Sequence, residues 1–529
     1  QSGNFNTSVG YESLKLNIIG NYNLAIGYNA LRNNVSNTGS TAIGNLAMEY
    51  SDNGTEQVET YNTAVGFAAL RGSNIPEDNR FTHNTAVGSN SLMSNVGGGG
   101  NVALGALALQ NSTTGYENAV VGYKSMYDNI TGSHNVANGT RSLEKNTTGG
   151  YNVAIGKGSL QENVVNSGST AIGYNAMQNA DLRTTNGRFT FNTAVGYQTL
   201  VGPFAETNSG IYNTAVGSQG LSNNSKGEFN TSLGYRAGHS NKNGSGLTAI
   251  GSLAMENANS SISEFQSYNT AVGYAALRGS NVPANNTGTN NTAIGDSALA
   301  DNTSGSQNVA LGVKNLGKNT TGSNNTILGY NAGLNNTTGS GNIFIGYLAG
   351  SNNVTIGNSL VIENSNSGQP LIRGNFEEDK LGINRTATDL NNRTETFQVT
   401  GEAFKTTGTG NWIIPSDRRL KENIKYLDSQ KMLDKVLQMK GVSYNWIDKA
   451  RGADKVFGFI AQDLQEVFPE NVKIDKEGLL SASYGAYDPM IIEAIKALKE
   501  LIDEQREEIS ALKALLLKKD GLQTVNTEK

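Results

Sequence analysis

The stretch SDRRLK at residues 416–421 sets a hydroxyl, Ser416, five residues ahead of an amine, Lys421. A serine hydroxyl is a poor nucleophile near neutral pH and attacks a carbonyl only when a base takes its proton. Histidine is not at hand, since His83, His134 and His239 all fall far earlier in the chain. A lysine can serve if burial lowers its pKa enough to leave it neutral. On residue pattern alone the stretch has a second reading, in which Ser416 caps a helix and Lys421 is a solvated cation.

Other chemistries find less support. The chain has no cysteine, so disulfides and thiolate metal sites are excluded. No P-loop, zinc spacing or calcium-binding nonapeptide occurs, and neither a metal nor a cofactor is expected. A glycoside hydrolase needs two carboxylates across one cleft. Glu56, Glu59, Glu77 and Asp78 are scattered among repeats and form no such pair. With 40 Lys and Arg against 45 Asp and Glu, the net charge of −5 offers no basic face for nucleic acid. No apolar run of about 18 residues is present, so no membrane span is expected. No signal peptide is visible, and residue 1 stands just before a repeat unit, as it would if an anchoring segment had been removed. A cysteine-free chain rich in Asn, Gly and Thr points to an extracellular or virion-surface setting.

The elements that carry these residues begin with an internal repeat. The unit N-x-A-x-G-x-x-A-L starts at 6, 23, 40, 62, 84, 101, 118, 135, 152, 169, 192, 213, 230, 247, 269, 291, 308, 325, 342 and, in degenerate form, at 353. Twelve of the nineteen intervals are 17 residues, six are 21 to 23, and the last is 11. So regular a step predicts a solenoid whose units touch mainly their neighbours. TAVG and VAIG read as short strands with alternating faces, glycine allows a corner, and Asn/Gly/Ser runs supply turns. The leading Asn is expected to stack as an amide ladder. An aromatic follows the glycine in half of the units, as at Tyr11, Tyr28, Tyr174 and Tyr330. This predicts a ring stack at one corner, with a carbohydrate-binding row as the alternative. Twenty coils at roughly 4.8 Å each would span about 90–100 Å.

Pro76, Pro203 and Pro283 all lie in lengthened intervals, as expected of a residue that cannot donate to a ladder. These intervals are read as loops in adjacent pairs: 49–61 with 71–83, 178–191 with 201–212, and 256–268 with 278–290. Variation in a solenoid collects in such loops. Phe81, Arg188, Phe189, Phe191, Phe204 and Phe265 are therefore the receptor-binding candidates, with buttressing of a neighbouring chain as the other reading.

Residues 358–415 read as a β-rich neck of short strands and turns. Near the end, Ile491, Ile495, Leu498, Ile502, Gln505, Ile509, Leu512 and Leu516 keep a 4-3 spacing. That is a coiled-coil seam, with Ile in its first half leaning toward more than two strands and Gln505 as its one polar member. The expected boundaries are a shaft over 1–357, the neck over 358–415, an α+β domain over 416–488, the coiled-coil helix over 489–517 and a disordered tail over 518–529.

Two resemblances extend this reading. TAIG at 41–44, VAIG at 153–156 and TAIG at 248–251 resemble the head repeats of YadA-type trimeric adhesins, which implies a mainly β, trimeric β-roll shaft. SDRRLKENI, GVSYNW, GFIAQDLQEVFPE and SYGAYDPMIIEAIKALKELI together resemble the intramolecular chaperone (S74 peptidase) domain of phage tail spikes and fibres. That resemblance implies a homotrimer, help in folding the fibre ahead of the domain, and self-cleavage. It assigns Ser416 as nucleophile on the carbonyl of Pro415 and Lys421 as general base. The expected protein is a trimeric fibre or adhesin on a virion, an injection system or a bacterial surface. Its expected partners are a cell-surface glycan or protein receptor and a baseplate or surface anchor at the N-terminus. Any enzymatic activity is expected to be a single-turnover autoproteolysis. A tail spike with added glycan hydrolysis, and a bacterial adhesin unrelated to a phage, are the alternatives.

Overall fold

The computed structural model describes the chain apart from residues 1–2, 52–53, 76–77, 180–181, 204–207, 393–395, 401–416, 448–453, 475–477, 483–486 and 524–529. It divides into two units, Gln1–Ile372 and Arg373–Lys529.

In the first unit, twenty short strands run from Thr7–Val9 to Ser359–Ile362, each joined in parallel to the next. Register is kept across plain coils, as in Ala25↔Ala42, and across lengthened ones, as in Ala42↔Ala64 and Ala171↔Ala194. Side chains alternate along a strand. The central residue, usually Ala, is buried, while both flanking residues face outward. A second buried column comes from the Leu or Met four residues after the repeat glycine, such as Leu109, Met126 and Leu143. These residues adopt φ of 52°, 48° and 49°. A β-branched side chain is a strong outlier there, which explains why Leu and Met fill the column and Ile and Val do not.

The repeat glycine is required twice over. Gly105 has φ 136°, and a Cβ on it would lie 2.7 Å from the carbonyl oxygen of Gly122 in the next coil. Neighbouring coils therefore approach backbone to backbone along this corner.

Two amide ladders satisfy many of the buried polar groups that a coil this thin cannot avoid. The N–H groups of Asn101, Asn118, Asn135 and Asn152 donate to the Oδ1 of the Asn one coil earlier, at 2.9–3.0 Å. Each side-chain nitrogen also finds a backbone acceptor, as Asn101 Nδ2 does on Gly115 O at 2.8 Å. The second ladder, which the repeat pattern does not predict, runs through Asn129, Asn146 and Asn163 and through Asn302, Asn319 and Asn336.

The repeat ends differently from expectation. Leu360 pairs with Ile343, and the Ser359 N–H donates to Asn342 Oδ1 at 3.0 Å. The last unit therefore starts at 359, a full 17 residues after 342, and not at 353. Its repeat glycine is replaced by Glu363, which hid it. The tail also differs from expectation, because the final helix continues to Gln523. Gly521 costs only about 1 kcal/mol in a helix and does not stop it.

The paired loops share one closure. On the first loop of each pair the return leg bridges back to the coil below, at Thr38↔Glu59, Ser167↔Phe189 and Gly244–Ser245 with Phe265–Gln266. On the second loop one asparagine reaches back 29 residues: Asn79 to Tyr50 O, Asn208 to Asn179 O, Asn286 to Asn257 O.

In the second unit, strand Lys380–Ile383 pairs in parallel with Phe397–Val399, and helix α1 (Ala387–Asn392) lies between them in sequence. There follow α2 (Ser429–Gln438), α3 (Ala461–Val467) and α4 (Asp488–Gln523). Two antiparallel pairs accompany them, Val442–Tyr444 with Val456–Gly458 and Val472–Ile474 with Leu480–Ala482. One core gathers Leu464, Val467, Phe468 and Tyr487, and another Leu433, Ala494 and Ala497.

Candidate processing and assembly site

Pro415 and Ser416 lie outside the described residues. Next in the chain comes a single 3-10 turn, Arg418–Leu420. Asp417 caps it by accepting from the Arg419 N–H at 2.8 Å, and pairs with the Arg419 guanidinium at 2.7 Å. These bonds from Arg419 hold the Asp417 carboxyl below its usual range. Lys421 closes the turn, its N–H donating to Arg418 O at 3.2 Å, and its side chain is exposed. A lysine that acts as base must be buried to be neutral, and the described part of one chain does not bury this one.

Further along the chain is a small scaffold built on α4. Asp428 caps α2 by accepting from the Lys431 N–H at 3.0 Å. Ser429 Oγ donates to Glu493 Oε2 at 2.7 Å, and Lys496 pairs with the other oxygen at 2.6 Å. These bonds, that from Lys496 foremost, lower the Glu493 pKa. Ala494 and Ala497 let α2 approach α4 closely, while Lys435 sits over the Phe468 ring at 4.7 Å.

The seam residues are on other sides of α4. Ile491, Ile495, Leu498, Ile502, Gln505, Ile509, Leu512 and Leu516 are not buried, and all of the apolar ones are exposed. Among the described residues the helix therefore docks on its own domain through alanines and its heptad seam is left open.

The receptor candidates separate. Phe81 is buried in the shaft core and corrects the expectation of an exposed loop residue. Its carbonyl accepts from Asn62 Nδ2 at 2.9 Å, so this part of the loop is drawn into the coil. Arg188 is half-buried, with its guanidinium on Ser209 O. Phe265 is half-buried against Gly244. Phe189 and Phe191 are exposed and stack at 5.5 Å. Phe204 lies outside the described residues.

Two aromatic rows run along the shaft. After the glycine, Tyr11–Tyr28, Tyr174–Tyr197 and Tyr330–Tyr347 stack at 5.4–5.6 Å. A second row, just before the leading Asn, links Tyr116, His134, Tyr151, Phe189, Phe191, Tyr212 and Phe229 without a break. Most rings in this row lie face to face, so their edges are what reach solvent. Sequence reading missed this row because its positions hold Gly, Asn or Glu in other coils.

Residues 416–473 match the Peptidase S74 family, described as the chaperone of endosialidase. The chain carries a chaperone-of-endosialidase domain toward its C-terminal end. It is also similar to long tail fiber protein Gp37 of Enterobacteria phage Ox2, 32% identical over 150 residues, which is 27% of this chain and 57% of the relative. Against Gp37 of Enterobacteria phage K3 it is 34% identical over 108 residues, 19% of this chain and 8% of the relative. The chain thus spans about half of one relative's length and a small part of the other's. Among the described residues, no cluster of His, Asp and Glu could hold a metal, and no helix is long and apolar enough to cross a membrane.

Proposed function

We propose that this chain is one subunit of a trimeric tail fibre on a phage virion, engaging the host surface through its shaft loops. Its similarity to the Gp37 tail-fibre proteins of phages Ox2 and K3 favours the virion over a bacterial surface. The observation that carries the assembly is a pair of apolar surfaces that one chain leaves open. One is the α4 seam. The other is the outward column at the fourth position of each repeat unit, Val9, Ile26, Ile43 and onward to Ile362, none of it buried. A strip about 95 Å long and ~10 Å wide is on the order of 1,000 Å², enough for a stable interface per partner. A partner able to cover it must repeat with the same rise, which a second copy of this chain does.

In this reading the C-terminal domain aligns three chains whose coils look alike, and is then cut away. Ser416 Oγ attacks the Pro415 carbonyl carbon while Lys421 Nζ takes the hydroxyl proton. The C–N bond breaks, the Ser416 nitrogen leaves as an amine with a proton returned by Lys421, and an ester joins Pro415 to Ser416 Oγ. Water hydrolyses that ester to a Pro415 carboxylate and a free Ser416 hydroxyl. Burial of Lys421 would come from the neighbouring copies, so cleavage waits for assembly.

Intact mass of the purified full chain tests this, with Ser416→Ala and Lys421→Gln beside it. The expected wild-type product ends at Pro415 and both variants stay whole. Uncut wild type recovered as a trimer would remove the dyad, and a monomer would remove the fibre reading.

A further inference from the structure

The outward column at the fourth position of the repeat unit is aliphatic in every coil but one. It reads Leu104, Val121, Asn138, Ile155, Ile172 through the middle of the shaft, with Val, Ile or Leu in the remaining coils. Asn138 faces outward and is exposed, between exposed Val121 and Ile155 in the adjoining strands. Its backbone does what every coil requires: the Gly156 N–H donates to Asn138 O at 2.7 Å. Its side-chain amide is not among the hydrogen bonds made within the described residues of the chain, whereas the inward asparagines at either end of its own coil, Asn135 and Asn146, are tied into ladders.

We propose that Asn138 is the register pin of the interface between copies of this chain. The inference rests on the trimeric reading and adds to it a specificity residue in the shaft. A solenoid column of like residues carries little register information, because sliding one copy by a coil, about 4.8 Å, replaces aliphatic by aliphatic. A single amide breaks that degeneracy. In register, Asn138 of each copy meets Asn138 of the others, and the amides pair N–H to C=O. One coil out of register, each amide is pressed against Val121 or Ile155 of its neighbour and left dry and unpaired. A lone polar residue in an apolar seam fixes alignment in coiled coils by the same logic. The pin sits twelve strands before the last coil, so it stays with the shaft once the C-terminal domain is removed.

The chain has no cysteine, so single ones report position. Full-length chains carrying Leu104→Cys and, separately, Val121→Cys are co-expressed and oxidised, and linked peptides are identified by mass spectrometry. With Asn138 in place, only 104–104 and 121–121 links are expected. In an Asn138→Ile background, which restores the aliphatic column and so keeps the coil, 104–121 links should appear as the mark of a one-coil slip. Moving the amide, Asn138→Ile with Ile155→Asn, should suppress them again. An unchanged link pattern in Asn138→Ile, or 104–121 links already in the parent, overturns the pin while leaving the trimer standing. A monomeric mass with no interchain link of any kind overturns the trimeric reading and the pin with it.

Discussion

Phe344 fills the space that Gly350 leaves in the same coil. A Cβ placed on Gly350 would lie 2.7 Å from the Phe344 ring, and one on Gly333 in the coil before would lie 3.1 Å from it. In most other coils these positions hold Ala on the strand and Leu or Met at the corner, so this coil exchanges a small-large pair for a large-small one at similar volume.

That exchange makes a double-mutant cycle informative. Phe344→Ala should cost about 3–5 kcal/mol by opening a cavity. Gly350→Leu should cost about 1–3 kcal/mol by overpacking. Together they rebuild the common coil, and the pair should cost clearly less than the sum. Urea unfolding of the full chain measures all three, and simple additivity would refute the shared-volume account.

The leading Asn ladder gives a second expectation. Asn101→Ala would strip the Asn118 N–H of its acceptor and the Gly115 carbonyl of a donor. Each buried group left unsatisfied costs about 1–3 kcal/mol. Amide exchange should accelerate at Asn118 and its neighbours while coils several steps away keep their protection, because a solenoid is stabilised mainly by nearest neighbours. Uniform acceleration along the shaft would argue against this local coupling.

Much of this was legible because the sequence repeats. Gly105, Ala103 and Asn101 recur at fixed spacing, and each position has one physical task that few residues can perform. The second ladder through Asn129 and Asn146 was harder to read, since its register shows only when coils are stacked and the surrounding Asn/Gly/Thr runs resemble ordinary turns. Phe81 was misplaced for a related reason: loop composition marks an insertion, but not which of its residues the coil draws back inside. At the candidate processing site, Ser416 and Lys421 stood out through family resemblance, and the spacing alone left them open. Burial of Lys421 could not be read from one chain's sequence if neighbouring copies supply it.

Acid should loosen the docking of α2 on α4. Glu493 accepts from Lys496 and Ser429, and its pKa lies below the ordinary value of 4.5. A carboxylate depressed in the folded state contributes stability that is whole above the unfolded value and is lost as pH falls through the folded one. Protection of 429–438 against hydrogen exchange should therefore decline below about pH 4.5 and hold at neutral pH. Ser429→Ala should reduce the acid sensitivity without abolishing it, because Lys496 remains. An equal acid response in Glu493→Gln would assign it to another group.

Two adjoining residues of α4 should fail in opposite ways. Ala494 is buried against α2, whereas Ile495 is 59% exposed on the open seam. Ala494→Leu should overpack the intrachain contact at about 1–3 kcal/mol, lowering the melting temperature of the C-terminal domain. Ile495→Asp should leave the domain of a single chain folded, since the described residues leave that side chain mostly exposed. It would instead bury a carboxylate at each seam contact, costing several kcal/mol on association, so trimer formation should weaken more than tenfold. Sedimentation of the full chain over a concentration series, with circular dichroism beside it, separates the two. Loss of helix in Ile495→Asp at concentrations where the parent is itself monomeric would place the seam inside the single chain's core and remove α4 as the clamp between copies.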